Sequence, residues 1–209
     1  MVQYWPEFLS LAIIHFVAVI LPGPDFVITV RQSLKYGRLH GAMTALGIGT
    51  GLSVHILYTL LGVGALMQAS PWVLQVAKLI GAAYLIYIAI QLLKSAGAIQ
   101  LDAENAQADV SSQSLKKAFS LGFLTNATNP KATLFFLAVV TNVVSQGTPL
   151  HIQLFYGAWM CSVNALWFIC VSLLFSASSS RAWFLNKMNL VEKALAVLLM
   201  AFSLRLLIA

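Results

Sequence analysis

The chain has 209 residues, of which 60% are hydrophobic and only 9% charged, with a net charge of +6. A soluble domain carries roughly 25% charged residues, so the deficit excludes an ordinary water-soluble fold and predicts a large lipid-facing surface. The basic excess does not indicate nucleic acid, because the Lys and Arg residues lie between apolar segments rather than on a polar domain.

Crossing the hydrocarbon core takes roughly 20 predominantly apolar residues. The first segment of that length covers 6–30. Residues 1–7 contain no basic side chain and no small-residue cleavage site follows the apolar core, so the segment reads as a span rather than a leader. It is interrupted by Leu21-Pro22-Gly23-Pro24-Asp25. Two prolines around a glycine must break or sharply kink a helix. In a bilayer, irregular backbone is tolerated only where it is buried in protein or lines a polar cavity, and an ionisable residue there is a functional candidate.

The second segment, 41–67, carries Gly41, Gly47, Gly49, Gly51, Gly62 and Gly64, with a G-x-x-x-G at Gly47 and Gly51. Such a face lets another helix approach closely. Packing within the chain is its default use, and a homodimer is the further partner it would allow. The third segment covers 71–93, and a polar linker with Asp102, Glu104 and Asp109 follows from Ser95 to Ser114. The fourth, 117–144, contains Asn129-Pro130-Lys131, a second break. In the fifth, 150–176, Cys161 and Cys170 are nine residues apart. That offset is about 180° around a helix, so they cannot bridge each other and read as small buried hydrophobes. The sixth covers 190–209.

The fold expected is an all-α integral membrane protein of six transmembrane helices, with helices one and four broken by prolines. Residues 1–95 form one three-helix repeat and 115–209 a second, joined by a polar cytoplasmic linker over 96–114. An odd number of helices per half makes the second repeat inverted. Pro22 falls 14 residues after Phe8, and Pro130 falls 12 residues after Ala118. Interrupted helices in corresponding positions point to a transport site near the midplane. The symmetry rests on proline placement and segment count, since the two halves show no letter-by-letter repeat. Eight basic residues (Arg31, Lys35, Arg38, Lys94, Lys116, Lys117, Arg181, Lys187) flank connections on one side, against Arg205 on the other. Both termini are therefore expected outside.

An Asp or Lys at the centre of a span costs about 2.5 to 3.5 kcal/mol on insertion scales, so neither Asp25 nor Lys131 should face lipid. Two roles are open to them. They could neutralise each other as a buried pair holding the halves together. Alternatively, Asp25 binds a substrate ammonium group or a proton while Lys131 or a half-helix N-terminus receives a carboxylate. The candidate site is then Pro22, Gly23, Pro24 and Asp25 from the first break with Asn126, Asn129, Pro130 and Lys131 from the second. Asn126, Asn129 and Thr133 share a helical face, where they could bind a ligand or satisfy backbone groups freed by Pro130. His15 and His55 are secondary candidates, each otherwise a hydrogen-bonded packing residue. Their isolation argues against a metal site. No nucleophile, base and orienting group assemble from the polar loops, and no paired carboxylates stand out, so neither an enzyme nor a cofactor is expected. A passive channel, or an exporter of another small solute, is the alternative to a pump.

The broken first segment, the glycine-rich second, Gly81-Ala82-Ala83-Tyr84-Leu85-Ile86-Tyr87 and Gly122-Phe123-Leu124-Thr125-Asn126-Ala127-Thr128-Asn129-Pro130-Lys131-Ala132 together resemble the LysE/RhtB family of bacterial amino-acid exporters. The nearest likeness is to its homoserine and threonine efflux branch, and it covers essentially the whole chain. Ala89 departs from the usual glycine, and Val140-Thr141-Asn142-Val143 from a phenylalanine- and proline-containing helix end. The resemblance implies export of a neutral or basic amino acid or a derivative across the bacterial inner membrane, driven by the proton gradient.

Overall fold

Proline positions set where the helices begin. In the computed structural model, Pro6 lies in the first turn of α1 (Trp5–Ile20), Pro24 opens α2 (Pro24–Tyr36), and Pro71 opens α4 (Pro71–Ser95). Pro130 opens α6 (Pro130–Val143) and Pro149 is the N-cap of α7 (Leu150–Phe175). A first-turn proline loses nothing, because its missing N–H would have had no intrahelical partner. Two helices begin without one: α3 (Arg38–Ala69) and α5 (Leu115–Ala127), the latter capped by Ser114 accepting from the Lys117 amide. The structure describes residues 2–69, 71–95, 113–145, 147–176, 190, 193–201 and 203–204, and no strand occurs among them. Residues 96–112 of the expected 96–114 linker, together with Arg181, Lys187 and Arg205, lie outside the described residues.

Both expected breaks are present. α1 ends at Ile20 and α2 restarts at Pro24, the pair bending by 52°, while Thr128 and Asn129 separate α5 from α6. One expected connection differs. Residues 31–36 belong to α2, so Arg31 and Lys35 are helical, and Gly37 alone joins α2 to α3. Hydropathy marks where the apolar run stops, whereas the backbone helix continues past it. Gly37 ends α2 with φ 87°, a conformation that disfavours other residues, and its amide donates to the Ser33 carbonyl at 3.1 Å.

Arg38–Leu60 within α3 and the whole of α7 are long and apolar enough to cross a membrane, and the bent α1–α2 pair meets the same measure when it is counted as one span. α5 is shortened as an apolar element by Lys116, Lys117, Thr125 and Asn126. The polarity is that of a membrane protein. Large apolar side chains such as Ile13, Leu57, Leu154, Leu166 and Leu173 point outward, while His15, Thr29, Thr44, His55, Asn126 and Asn164 are buried.

The glycines of α3 explain how it sits at the centre. Gly47 and Gly51 press on α5, where a Cβ on Gly51 would come within 2.6 Å of the Phe123 carbonyl; Gly122 of α5 presses back on the backbone at Thr44. Gly49 faces the other way, and a Cβ there would lie 2.6 Å from Ala165 on α7. The G-x-x-x-G face is thus used inside the chain and is not free for a second copy. Two apolar clusters result. One gathers Leu11, Ile14, Leu52, Phe136, Tyr156 and Met160, the other Phe26, Val30, Ile48, Phe168, Val171 and Phe175.

Candidate functional site

The space between the two helix breaks is lined by both polar and aromatic side chains. It forms a cavity of about 50 Å³, lined by Leu21, Gly23 and Asp25 from the first break and by Asn126, Asn129 and Lys131 from the second. That volume holds about three to five water molecules.

The charged group of each break is held by the other break. Asp25 sits in the first turn of α2, and its Oδ2 accepts from Asn126 Nδ2 at 2.9 Å and from Asn129 Nδ2 at 3.3 Å. Lys131, in the first turn of α6, donates from Nζ to the Leu21 carbonyl at 3.4 Å, at the end of α1. Among the described residues Asp25 and Lys131 make no direct ion pair, although both line the cavity. The second oxygen of Asp25 and the Oδ1 of Asn126 are buried without a hydrogen-bond partner. Buried polar atoms are normally satisfied, so two orphan acceptors beside a cavity define a place for a donor.

Asn129 serves two elements at once. As the N-cap of α6 its Oδ1 accepts from the Lys131 amide at 3.0 Å, and its Nδ2 reaches Asp25. Helix termination at Ala127 means that Asn126 and Asn129 do not share a continuous helical face, as the spacing predicts. They converge because the chain turns at Thr128. The remaining polar residues of that stretch divide. Thr125 and Thr128 bond back to the Leu121 and Leu124 carbonyls at 2.7 Å, and Thr133 turns inward. Pro22, Pro24 and Pro130 act through the backbone. The open approach at Gly23 matters more directly, since a Cβ there would stand 3.4 Å from Lys131 Nζ.

His55 lies behind the site. Its Nε2 donates to the Asn126 carbonyl at 2.7 Å, and its Nδ1 accepts from the Tyr58 hydroxyl at 2.7 Å. It therefore fixes Asn126, which in turn holds Asp25. His15 lines the cavity itself, with Nε2 3.2 Å from the Met160 carbonyl and Nδ1 buried without a partner. Sequence reasoning misses Tyr58 and Asn164. The second also lines the cavity, and its one sequence signal is a polar amide in the middle of the apolar 150–176 segment.

Cys161 and Cys170 are both free, the second of them exposed rather than buried as its apolar setting predicts. No group of His, Cys, Asp and Glu able to hold a metal ion occurs among the described residues.

Comparison with known proteins places the chain. Over 205 residues it is 29% identical to a threonine efflux protein of Escherichia coli, covering 97% of this chain and 98% of that protein. An uncharacterised membrane protein of Bacillus subtilis, YrhP, is 27% identical over 194 residues, 90% of this chain and 91% of that one. A homoserine/homoserine lactone efflux protein of Salmonella typhi is 32% identical over 128 residues, 61% of this chain and 60% of that protein. No solved structure matches. The model of the LysE type translocator family matches residues 16–209, and the chain is a membrane protein belonging to that family.

Proposed function

We propose that this protein exports amino acids from the bacterial cytoplasm across the inner membrane, as a secondary transporter that takes up a proton in exchange. The observation that carries it is the Asp25 carboxylate, with one oxygen held by Asn126 and Asn129 and the other unpartnered beside a cavity shared with Lys131. The similarity to threonine and homoserine efflux proteins supports the substrate class.

The chemistry follows from the two kinds of group present. Asp25 Oδ1 and Asn126 Oδ1 are acceptors and suit the ammonium group of an amino acid. Lys131 and the first-turn amides of α2 are donors, aided by the positive end of that helix, and suit its carboxylate. A proton and an ammonium group compete for the same carboxylate, so loading one displaces the other, which is the requirement for exchange.

The architecture that goes with this function has two inverted repeats, over 1–95 and 115–209, with a cytoplasmic linker between them and both termini outside. The pairs α1–α2 and α5–α6 are then equivalent broken spans, rocking about the site between them. Any homodimer would use a surface other than the Gly47–Gly51 face.

Export from intact cells preloaded with dipeptides tests the function. Threonine, homoserine, leucine and lysine are compared with and without a proton uncoupler. Accumulation of one of them outside, abolished by the uncoupler, is the expected result. Movement that only follows the concentration gradient would indicate a channel.

A further inference from the structure

The cavity has further polar side chains, which come from other helices than those of Asp25, Asn126, Asn129 and Lys131. Asp25, Asn126, Asn129 and Lys131 come from α2, α5 and α6 and their caps, whereas His15 and Asn164 come from α1 and α7. His15 Nε2 faces the Met160 carbonyl at 3.2 Å. A carbonyl only accepts, so Nε2 carries the hydrogen and, in the neutral ring, Nδ1 is a bare acceptor. That Nδ1 is buried with no partner. In the continuous helix α7 the same Met160 carbonyl receives the amide of Asn164, four residues on. The His15 ring therefore rests on the turn that carries Asn164.

Asn164 is only 3% exposed, lines the cavity, and has no side-chain hydrogen bond among the described residues. Phe135, Phe136 and Phe168 line the cavity with it. An imidazole nitrogen buried without a partner in aromatic surroundings is costly unless something completes it, and the Asn164 amide borders the same cavity.

We infer that His15 and Asn164 form a side-chain subsite that selects amino acids carrying a small hydroxylated side chain. The inference rests on the cavity being the amino-acid site proposed above. A hydroxyl donates to His15 Nδ1 and accepts from the Asn164 amide, completing both groups with one atom. An aliphatic side chain of the same shape leaves both unpaired. A cationic side chain finds no carboxylate there, because Asp25 is the one acid among the lining residues described and is engaged by Asn126 and Asn129.

Threonine and valine have the same shape and differ by a hydroxyl for a methyl, so they are the probes. The full-length protein in proteoliposomes is expected to move threonine with a half-saturation on the order of 10- to 100-fold below that of valine. Asn164→Leu and His15→Phe are each expected to bring that ratio toward one, by weakening threonine more than valine. A purely structural role for either residue would lower both rates together and leave the ratio intact, and that result overturns the subsite. The wild-type ratio needs no variant. A value near one, or transport of leucine in preference to threonine, also overturns the subsite and leaves amino-acid export standing. If wild-type vesicles move no amino acid, export fails and the subsite with it.

Discussion

Asn129 and Asp25 lie 104 positions apart in the chain, yet the side chain that caps α6 also hydrogen-bonds the carboxylate in the first turn of α2, at 3.3 Å. Lys131 returns the contact by binding the Leu21 carbonyl at the end of α1. The two helix breaks are thus mechanically connected, and motion at one must be felt at the other.

Asp25→Asn removes the charge while keeping the shape. It is expected to abolish uncoupler-sensitive accumulation outside the cell, with a loss of roughly tenfold or more from the missing charge-assisted contact. Efflux from dipeptide-loaded cells measures it, and a variant that still concentrates its substrate outward would rule out Asp25 as the coupling group.

Asn129 separates its two tasks by substitution. Asn129→Ser retains a capping oxygen but cannot reach Asp25, so the melting temperature in detergent should stay near wild type while transport falls about tenfold. Asn129→Ala loses the cap as well, which costs about 1 kcal/mol more in stability. Equal melting temperatures for the two variants would mean that the cap contributes nothing.

Lys131→Met keeps the length and apolar stem of the side chain without the ammonium group. Half-saturation for an amino acid should rise by roughly tenfold or more, from loss of a charged partner for the carboxylate. The corresponding amine without a carboxylate should be affected far less. Unchanged half-saturation for the amino acid would remove Lys131 from the binding site.

Gly122 and Gly62 make a matched pair. A Cβ on Gly122 would run into the backbone at Thr44, whereas nothing among the described residues lies within 4 Å of one on Gly62. Gly122→Ala should destabilise by about 1 to 3 kcal/mol, because backbone cannot give way as a side chain can. Gly62→Ala should be neutral or stabilising by up to about 1 kcal/mol. Thermal unfolding of the two solubilised variants checks the contrast.

The breaks were legible in the sequence because proline and glycine act locally: Pro24 and Pro130 impose a helix start whatever surrounds them. The glycines of α3 were legible as close-packing surfaces, but not the division by which Gly47 and Gly51 face α5 while Gly49 faces α7. What holds Asp25 was beyond the sequence, since a direct pair with Lys131 and the crossed arrangement place the same residue types at the same spacing. Only the relative rotation of α2, α5 and α6 distinguishes them. Asn164 carries no periodic signal, because one amide in an apolar helix reads equally well as a packing residue. The extension of α2 to Tyr36 was hidden for a related reason, as Arg31 and Lys35 end the apolar run without ending the helix.

The two apolar clusters, one around Phe136 and Met160 and the other around Phe26 and Phe175, each give a phenylalanine to the cavity wall, Phe136 from the first and Phe168 from the second. The ring centroids of Phe26 and Phe175 are 5.4 Å apart, and neither residue lines the cavity. Repacking Phe26 against Phe175 would therefore alter the second cluster without changing a side chain of the cavity wall.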